Sequence, residues 1–278
     1  MRQLQTPDAT IHYIREGAGA PLILLQGAGV VGEGWRPQID ALRQHYAIVA
    51  PDNRGIGRST YRAATLTVED MADDVLAIAK AEGFDRFHLA GHSIGGLIAQ
   101  EIALRARDRV LTLALMCSFE CGRQAARLTP DILWIGLRTR IGSRAMRRQA
   151  FMEMILPGAY LAGADRPALG SQLATLFGHD LADQPAIVMK QLGAAARYDA
   201  SGRLQELAGL PTLVLSARHD RIALPQYGRA LAERIPGARY VEIADGGHAM
   251  TIQCAPEVNR VLTEHLAARI EAGEPKNG

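Results

Sequence analysis

The chain has 278 residues, of which 48% are apolar, enough for a large buried core. Its 31 Lys and Arg nearly balance 29 Asp and Glu, which argues against nucleic acid as the main partner, because such proteins carry a strongly basic face. No apolar run reaches the roughly 18 residues of a membrane-spanning helix, so no membrane association is expected. Met1 to His12 lacks the apolar stretch of a secretory signal. Cys117, Cys121 and Cys254 form an odd set without metal-ligand spacing, which fits reduced thiols in a cytoplasmic protein and no metal.

In chain order, residues 3–15 alternate as two short strands, and Pro21 to Gln26 is a solid apolar run typical of a buried parallel strand. Trp35 to His45 reads as a helix with Pro37 in its first turn, and Tyr46 to Pro51 as a strand. A glycine-rich loop, Asp52 to Thr60, precedes a helix over Thr67 to Glu82 that Gly83 stops. Phe87 to Ala90 is the next strand, Leu97 to Leu104 the next helix, and Val110 to Cys117 the strand after that. From about Gly122 to Arg203 the alternation breaks. The pieces Ile132–Leu137, Met146–Leu156, Ala168–Phe177 and Ala186–Ala196 read as helices parted by Gly and Pro. Strand spacing returns with Thr212 to Ala217, then a helix over Pro225 to Ile235, a strand over Arg239 to Ile243 and a closing helix over Pro256 to Ile270. The polar tail Glu271–Gly278 is expected to be disordered. Strands alternating with helices imply a mostly parallel α/β sheet flanked by helices. The expected division is a core of residues 1–121 and 204–278 with a helical lid, residues 122–203, inserted between them.

The chemistry centres on Gly91-His92-Ser93-Ile94-Gly95. A serine between two glycines at a strand-to-helix turn is a nucleophile elbow: the turn lifts the hydroxyl above the sheet, and glycine avoids crowding it. The amide after it, on Ile94, is one candidate oxyanion donor. A serine needs a base, and the base an orienting acid. In such a sheet the acid precedes the histidine, each after a late strand. Asp220 and His248 meet those conditions, with Glu120 as a competitor for the acid. Of the other histidines, His12 and His88 read as structural, His45 and His265 as exposed on helices, His92 and His219 as supporting, and His179 as a loop residue or a substrate contact. The second oxyanion amide belongs to the loop Gln26-Gly27-Ala28-Gly29, with Ala28 the best candidate. The same loop, Gly27-Ala28-Gly29-Val30-Val31-Gly32, matches a dinucleotide fingerprint, with Asp52 20 residues beyond Gly32. Gly34 and Pro37 delay the helix that such a site needs, which disfavours nicotinamide binding.

Together the Gly27–Gly29 loop, the run Asp52 to Ser59, the elbow, Asp220 with Pro225, and Gly247-His248 resemble the α/β-hydrolase family, from about Leu4 to Ala268. The resemblance implies an eight-stranded sheet with a lid between strands six and seven, and is strongest toward ester- and lactone-hydrolysing members, including enol-lactonases. Two features depart from the family: Gln26-Gly27 stands where His-Gly is usual, and the acid loop has one extra residue before its proline. Ser93 in the nucleophile position disfavours the aspartate-nucleophile dehalogenases and epoxide hydrolases. The expectation is a serine hydrolase of a small-molecule carboxylic ester or lactone, using Ser93, His248 and Asp220, with Ala28 and Ile94 at the oxyanion and no cofactor. Carbon–carbon bond hydrolysis, perhydrolysis and ligand binding without turnover are the alternatives. Monomer and homodimer both fit the sequence.

Between Gly122 and Gln149 the chain has seven arginines (123, 127, 138, 140, 144, 147 and 148) against Asp131 alone. They read either as a solvated face or as including one or two groups that hold an anionic substrate in a pocket otherwise lined by Trp134, Leu137, Met152, Met154 and Ile155.

Overall fold

A computed structural model describes residues 1–125 and 129–267. The tail beyond 270 and Arg127 lie outside the described residues. The elements run in chain order as β1 Arg2–Gln5, β2 Ala9–Glu16, β3 Ala20–Leu25, α1 Arg36–Leu42, β4 Tyr46–Pro51, β5 Thr60–Tyr61, α2 Val68–Ala81, β6 Phe87–His92, α3 Ile94–Arg105 and β7 Val110–Met116. Among the described residues six helices without a strand follow: α4 Gly122–Ala125, α5 Pro130–Arg138, α6 Arg144–Ile155, α7 Gly158–Ala162, α8 Arg166–Phe177 and α9 Ile187–Arg197. The chain closes with β8 Thr212–Ala217, α10 Pro225–Arg234, β9 Arg239–Ile243, α11 Met250–Gln253 and α12 Ala255–Ala267.

Among the described residues the sheet has nine strands rather than eight. Eight follow the order β1-β2-β4-β3-β6-β7-β8-β9, and the two-residue β5 pairs with β2 beside this path. Strands β3, β4, β6, β7, β8 and β9 are parallel, and β2 joins β4 antiparallel. Every residue of β4, β6 and β8 is buried, as their apolar runs require when helices cover both faces. Helix α2 starts where its sequence directs: Thr67 accepts from the Asp70 amide while Asp70 accepts from the Thr67 amide, a reciprocal cap.

The helical segment leaves and rejoins the sheet through one narrow neck. Cys121 bridges Asp199, and the Gly122 amide donates to the Tyr198 carbonyl at 2.9 Å. A Cβ on Gly122 would lie 1.6 Å from the Ala195 oxygen, so only glycine lets the two chains pass this closely. Beyond the neck the segment has a core of its own, including Phe151, Met152, Leu161, Leu173 and Phe177. Two residues from outside it, Val30 and Ala249, are built into that core. They follow the Gly27–Gly29 loop and His248, so the segment is anchored at both sides of the expected site.

His265 differs from expectation. It is buried on α12, where its Nε2 donates to the Leu113 carbonyl at 3.0 Å, and burial lowers its pKa to about 4. His45 is exposed, as expected.

Candidate active site

The elbow forms as its glycines demand. Ser93 sits at φ 55°, between the end of β6 and the start of α3, a conformation that side chains rarely adopt. Its amide donates to the Met116 carbonyl at 2.9 Å, and its carbonyl accepts from Gly96 and from the Ser118 hydroxyl, each at 2.9 Å. A Cβ on Gly91 would lie 2.2 Å from the Gly95 oxygen, and one on Gly95 would lie 2.2 Å from the Leu25 oxygen. The turn is therefore clamped against both neighbouring strands.

His248 Nδ1 donates to Asp220 Oδ2 at 2.8 Å. The second carboxylate oxygen accepts the amides of Ile222 and Ala223 at 2.8 and 2.9 Å, so neither oxygen is left to turn elsewhere. The bond on Nδ1 leaves Nε2 as the free ring nitrogen of His248. Glu120 does not compete: it pairs with Gln124 at 2.8 Å and with Arg234 at 3.4 Å. Cys117, at φ 45° beside Asp220, is buried; burial first, then the neighbouring carboxylate, pushes its thiol well above the usual range. It stays protonated there.

His92 supports its neighbour through the backbone. Its Nε2 donates to the His248 carbonyl at 2.8 Å, and burial lowers its pKa to about 3, so the ring is neutral. Among the described residues, His92, Cys117 and His248 offer ligand atoms within 4.8 Å of one another, a set suited to a soft metal ion. One nitrogen of each histidine is already committed to the hydrogen bonds above. His219 is exposed.

In the Gly27–Gly29 loop the hydrogen bonds leave one amide open. The Gly27 amide donates to Gln26 Oε1 at 3.1 Å, and the Gly29 amide to Gln191 Oε1 at 2.9 Å. The Ala28 amide has no protein acceptor among the described residues. Ile94 is the first residue of α3, so its amide lacks an intrahelical acceptor. Gln26 thus serves the loop locally: it occupies the Gly27 amide, while Asn53 Nδ2 donates to its carbonyl at 3.1 Å.

The dinucleotide fingerprint does not form its site. Asp52 is buried, accepts the Gly32 amide at 2.8 Å and braces the loop from inside. The next turn is a 3₁₀ helix, Gly32–Trp35, whose short run presents no helix end to a pyrophosphate.

Gln26, Ala28, Ser93, Ile94 and His248 face a cavity of about 500 Å³ that runs under the helical segment. Its wall is largely apolar, with Phe119, Phe151, Met154, Ile155, Phe177 and Leu192 among its residues, and among the described residues no charged side chain lines it. Of the expected lining residues, Met154 and Ile155 are there. Met152 packs inside the helical segment, while Trp134 and Leu137 are 59% and 49% exposed. The described arginines of this stretch are engaged elsewhere: Arg123 pairs with Asp199, Arg138 with Glu153, Arg144 and Arg148 with Asp180, and Arg147 with Asp183. Arg140 reaches Met189 Sδ. They form a solvated face rather than an anion site.

Gln191 was not singled out from the sequence, and His179 was read as a loop residue or a substrate contact; both instead hold the Gly29 backbone of the loop beside the site. His179 Nε2 lies 3.0 Å from the Gly29 carbonyl, and Gln191 bridges the Gly29 amide to the Arg54 carbonyl. The available signal was Gln191 itself, a polar residue on the buried stripe of an amphipathic helix with Ala194 and Ala195.

The alpha/beta hydrolase fold family model matches residues 20–253. A protein of Azorhizobium caulinodans assigned, by name only, as a carbamate hydrolase (RutD) is 30% identical over 259 residues, covering 92% of this chain and 94% of its own length. The crystal structure of the enol-lactonase from Burkholderia xenovorans LB400 superposes with a TM-score of 0.79 at 26% identity, covering 96% of this chain and all (100%) of that one. A thermophilic esterase from Thermogutta terrifontis shares the fold, with a TM-score of 0.78 at 24% identity over 96% of this chain and 99% of that one. The chain belongs to the alpha/beta hydrolase fold family.

Proposed function

We propose that the protein is a serine hydrolase of neutral, largely apolar carboxylic esters or lactones, with residues 122–203 acting as the lid of its site. The observation that carries this reading is the Asp220–His248 hydrogen bond at 2.8 Å beside an elbow serine, at the floor of a cavity that no charged side chain lines among the described residues. Asp220 holds the imidazole with its proton on Nδ1, so Nε2 takes the Ser93 proton as Oγ attacks the substrate carbonyl carbon. The developing oxyanion is met by the amides of Ala28 and Ile94. The ester C–O bond then breaks, and His248 returns the proton to the departing alkoxide oxygen. Water attacks the acyl-enzyme, gives its proton to His248, and releases the acid while Ser93 is restored. No step calls for a cofactor.

The apolar wall supports a neutral acyl group: an unpaired carboxylate inside it would lose its hydration without gaining a partner. A neutral carbamate presents a similar carbonyl, and the relative assigned as a carbamate hydrolase keeps that substrate class in the assay panel. Replacing Ser93 with Ala and assaying a short p-nitrophenyl ester tests the reading. Loss of more than about a thousandfold in kcat/KM is expected; undiminished turnover overturns it. A second expectation follows from the wall. Of two esters matched in size, the neutral one is hydrolysed faster than one with a free carboxylate, and added salt does not close the gap. A carboxylate preference that fades with salt would contradict the neutral pocket.

A further inference from the structure

The amide proposed to meet the oxyanion stands on a loop that the lid holds from above. Gly29 has φ +74°, and a Cβ there would lie 2.7 Å from Val188 Cγ2 on α9, so the lid helix rests directly on the loop. Three residues further along α9, Gln191 is 1% exposed and both ends of its amide are engaged. Its Oε1 accepts the Gly29 amide at 2.9 Å, and its Nε2 donates to the Arg54 carbonyl at 3.2 Å. Arg54 does not yield easily, since its guanidinium is buried between Asp74 and Asp8 at 2.6 to 3.1 Å. His179 grips the other side of Gly29, with Nε2 3.0 Å from its carbonyl and Nδ1 3.0 Å from the Asp180 carbonyl. A neutral ring donates to one carbonyl at a time, which makes this the weaker hold.

On the proposed serine-hydrolase reading, we infer that Gln191, assisted by His179, is a positioning residue for the oxyanion hole: it fixes the Gly29 peptide so that the Ala28 amide stays aimed at the substrate carbonyl oxygen. Neither side chain touches the reacting atoms. Gln191 works by removing the Gly29 amide as a rival donor and tying the loop to Arg54. A preorganised donor acts most strongly on the charge that develops in the transition state and little on ground-state binding. The lid is then part of the catalytic geometry and not only a cover.

The test compares wild type with Gln191→Met, which keeps the side chain's length and loses both hydrogen bonds, and Gln191→Glu, which keeps an acceptor for the Gly29 amide. Four quantities are read: kcat and KM for p-nitrophenyl butyrate, Ki for an alkyl trifluoromethyl ketone, and the melting temperature. The ketone's carbonyl carbon takes the Ser93 oxygen, the serine proton passes to His248, and the alkoxide that remains occupies the oxyanion position. Gln191→Met is expected to lower kcat by about tenfold to a hundredfold, less than loss of a whole donor, with KM within about twofold. Ki rises by the factor by which kcat falls, and Gln191→Glu lies between the two proteins. An unchanged kcat and Ki, or kcat and KM changing together with a marked fall in melting temperature, overturns the inference in favour of a packing role. Should Gln191→Met not fold, His179→Phe carries the test: a smaller kcat loss at constant KM supports the inference, and wild-type kcat and Ki overturn it. Wild type that neither turns over the ester nor is inhibited by the ketone overturns the serine-hydrolase reading itself, and this inference with it. A defect confined to the variants leaves that reading standing.

Discussion

Asp220 bears the most on His248, because its two oxygens have separate tasks. Oδ1 is occupied by the Ile222 and Ala223 amides, and Oδ2 alone receives the histidine. In Asp220→Asn the amide oxygen keeps the two backbone bonds, so the NH₂ group faces His248 Nδ1. The imidazole then turns to the tautomer with its proton on Nε2, which cannot accept from Ser93. The expected loss in kcat is about ten-thousandfold with the fold intact, as wrong-tautomer variants show. A loss below roughly tenfold would assign Asp220 to the loop alone, outside the range of general-base catalysis. The pairing of Asp220 with His248 was legible in the sequence because each follows a strand end in a recognisable order. Gln191 was not legible, since its partner Gly29 is 162 residues away and no local pattern joins them. The partners of the described arginines were not legible for the same reason. Their acids, at 153, 180, 183 and 199, lie beyond the stretch in which Asp131 stood alone.

Elements of the sheet follow from their sequences wherever burial is complete. The bounds of β4 and β8 match their apolar runs, while β6 runs on to His92, into the elbow itself. The helices of the proposed lid are legible as helices but not in their rotation. Helix α5 turns Leu133, Trp134 and Leu137 outward, whereas Ile132 and Ile135 are buried. Glycines separate the two kinds of element sharply. Gly95→Ala would force a Cβ to 2.2 Å from the Leu25 oxygen, where only backbone can yield. Its expected destabilisation is about 3 kcal/mol or more, at or above the upper end for overpacking. Gly136, inside α5, has nothing within 4 Å of its would-be Cβ. Gly136→Ala is expected to stabilise by about 0.5–1 kcal/mol through helix propensity and a less free unfolded chain. Urea midpoints for the two variants check both signs, and a Gly95→Ala protein as stable as wild type would contradict the clamped elbow.

At the scale of the whole molecule, two buried histidines set an acid limit. Burial lowers His92 to about 3 and His265 to about 4 from the ordinary 6.5. The unfolded chain therefore binds protons that the native chain refuses as pH falls below 6.5. Stability from both is complete above that pH and is lost on acidification, down to about 4 for His265 and about 3 for His92. The slope is at most about 1.4 kcal/mol per pH unit for each histidine. His265→Gln, which keeps a donor for the Leu113 carbonyl, is expected to melt with a flatter dependence between pH 6.5 and 4.5 than wild type. Because the two proteins share their carboxylates, including Asp52 and Asp74 whose burial raises them, the difference isolates the histidine. Parallel pH curves would contradict it. Among the described residues no helix is long and apolar enough to cross a membrane, and the buried apolar residues form two clusters, one around the sheet and one within the helical segment after β7. What the molecule does depends on whether Ser93 is activated. A fluorophosphonate reacts only with an activated serine, its phosphorus bonding to the hydroxyl oxygen as fluoride leaves. Intact-mass measurement followed by peptide mapping is expected to find one adduct per chain, on the peptide containing Ser93, in wild type and none in Ser93→Ala. An unlabelled wild-type protein, or an adduct on another serine that persists in Ser93→Ala, would contradict the proposed chemistry.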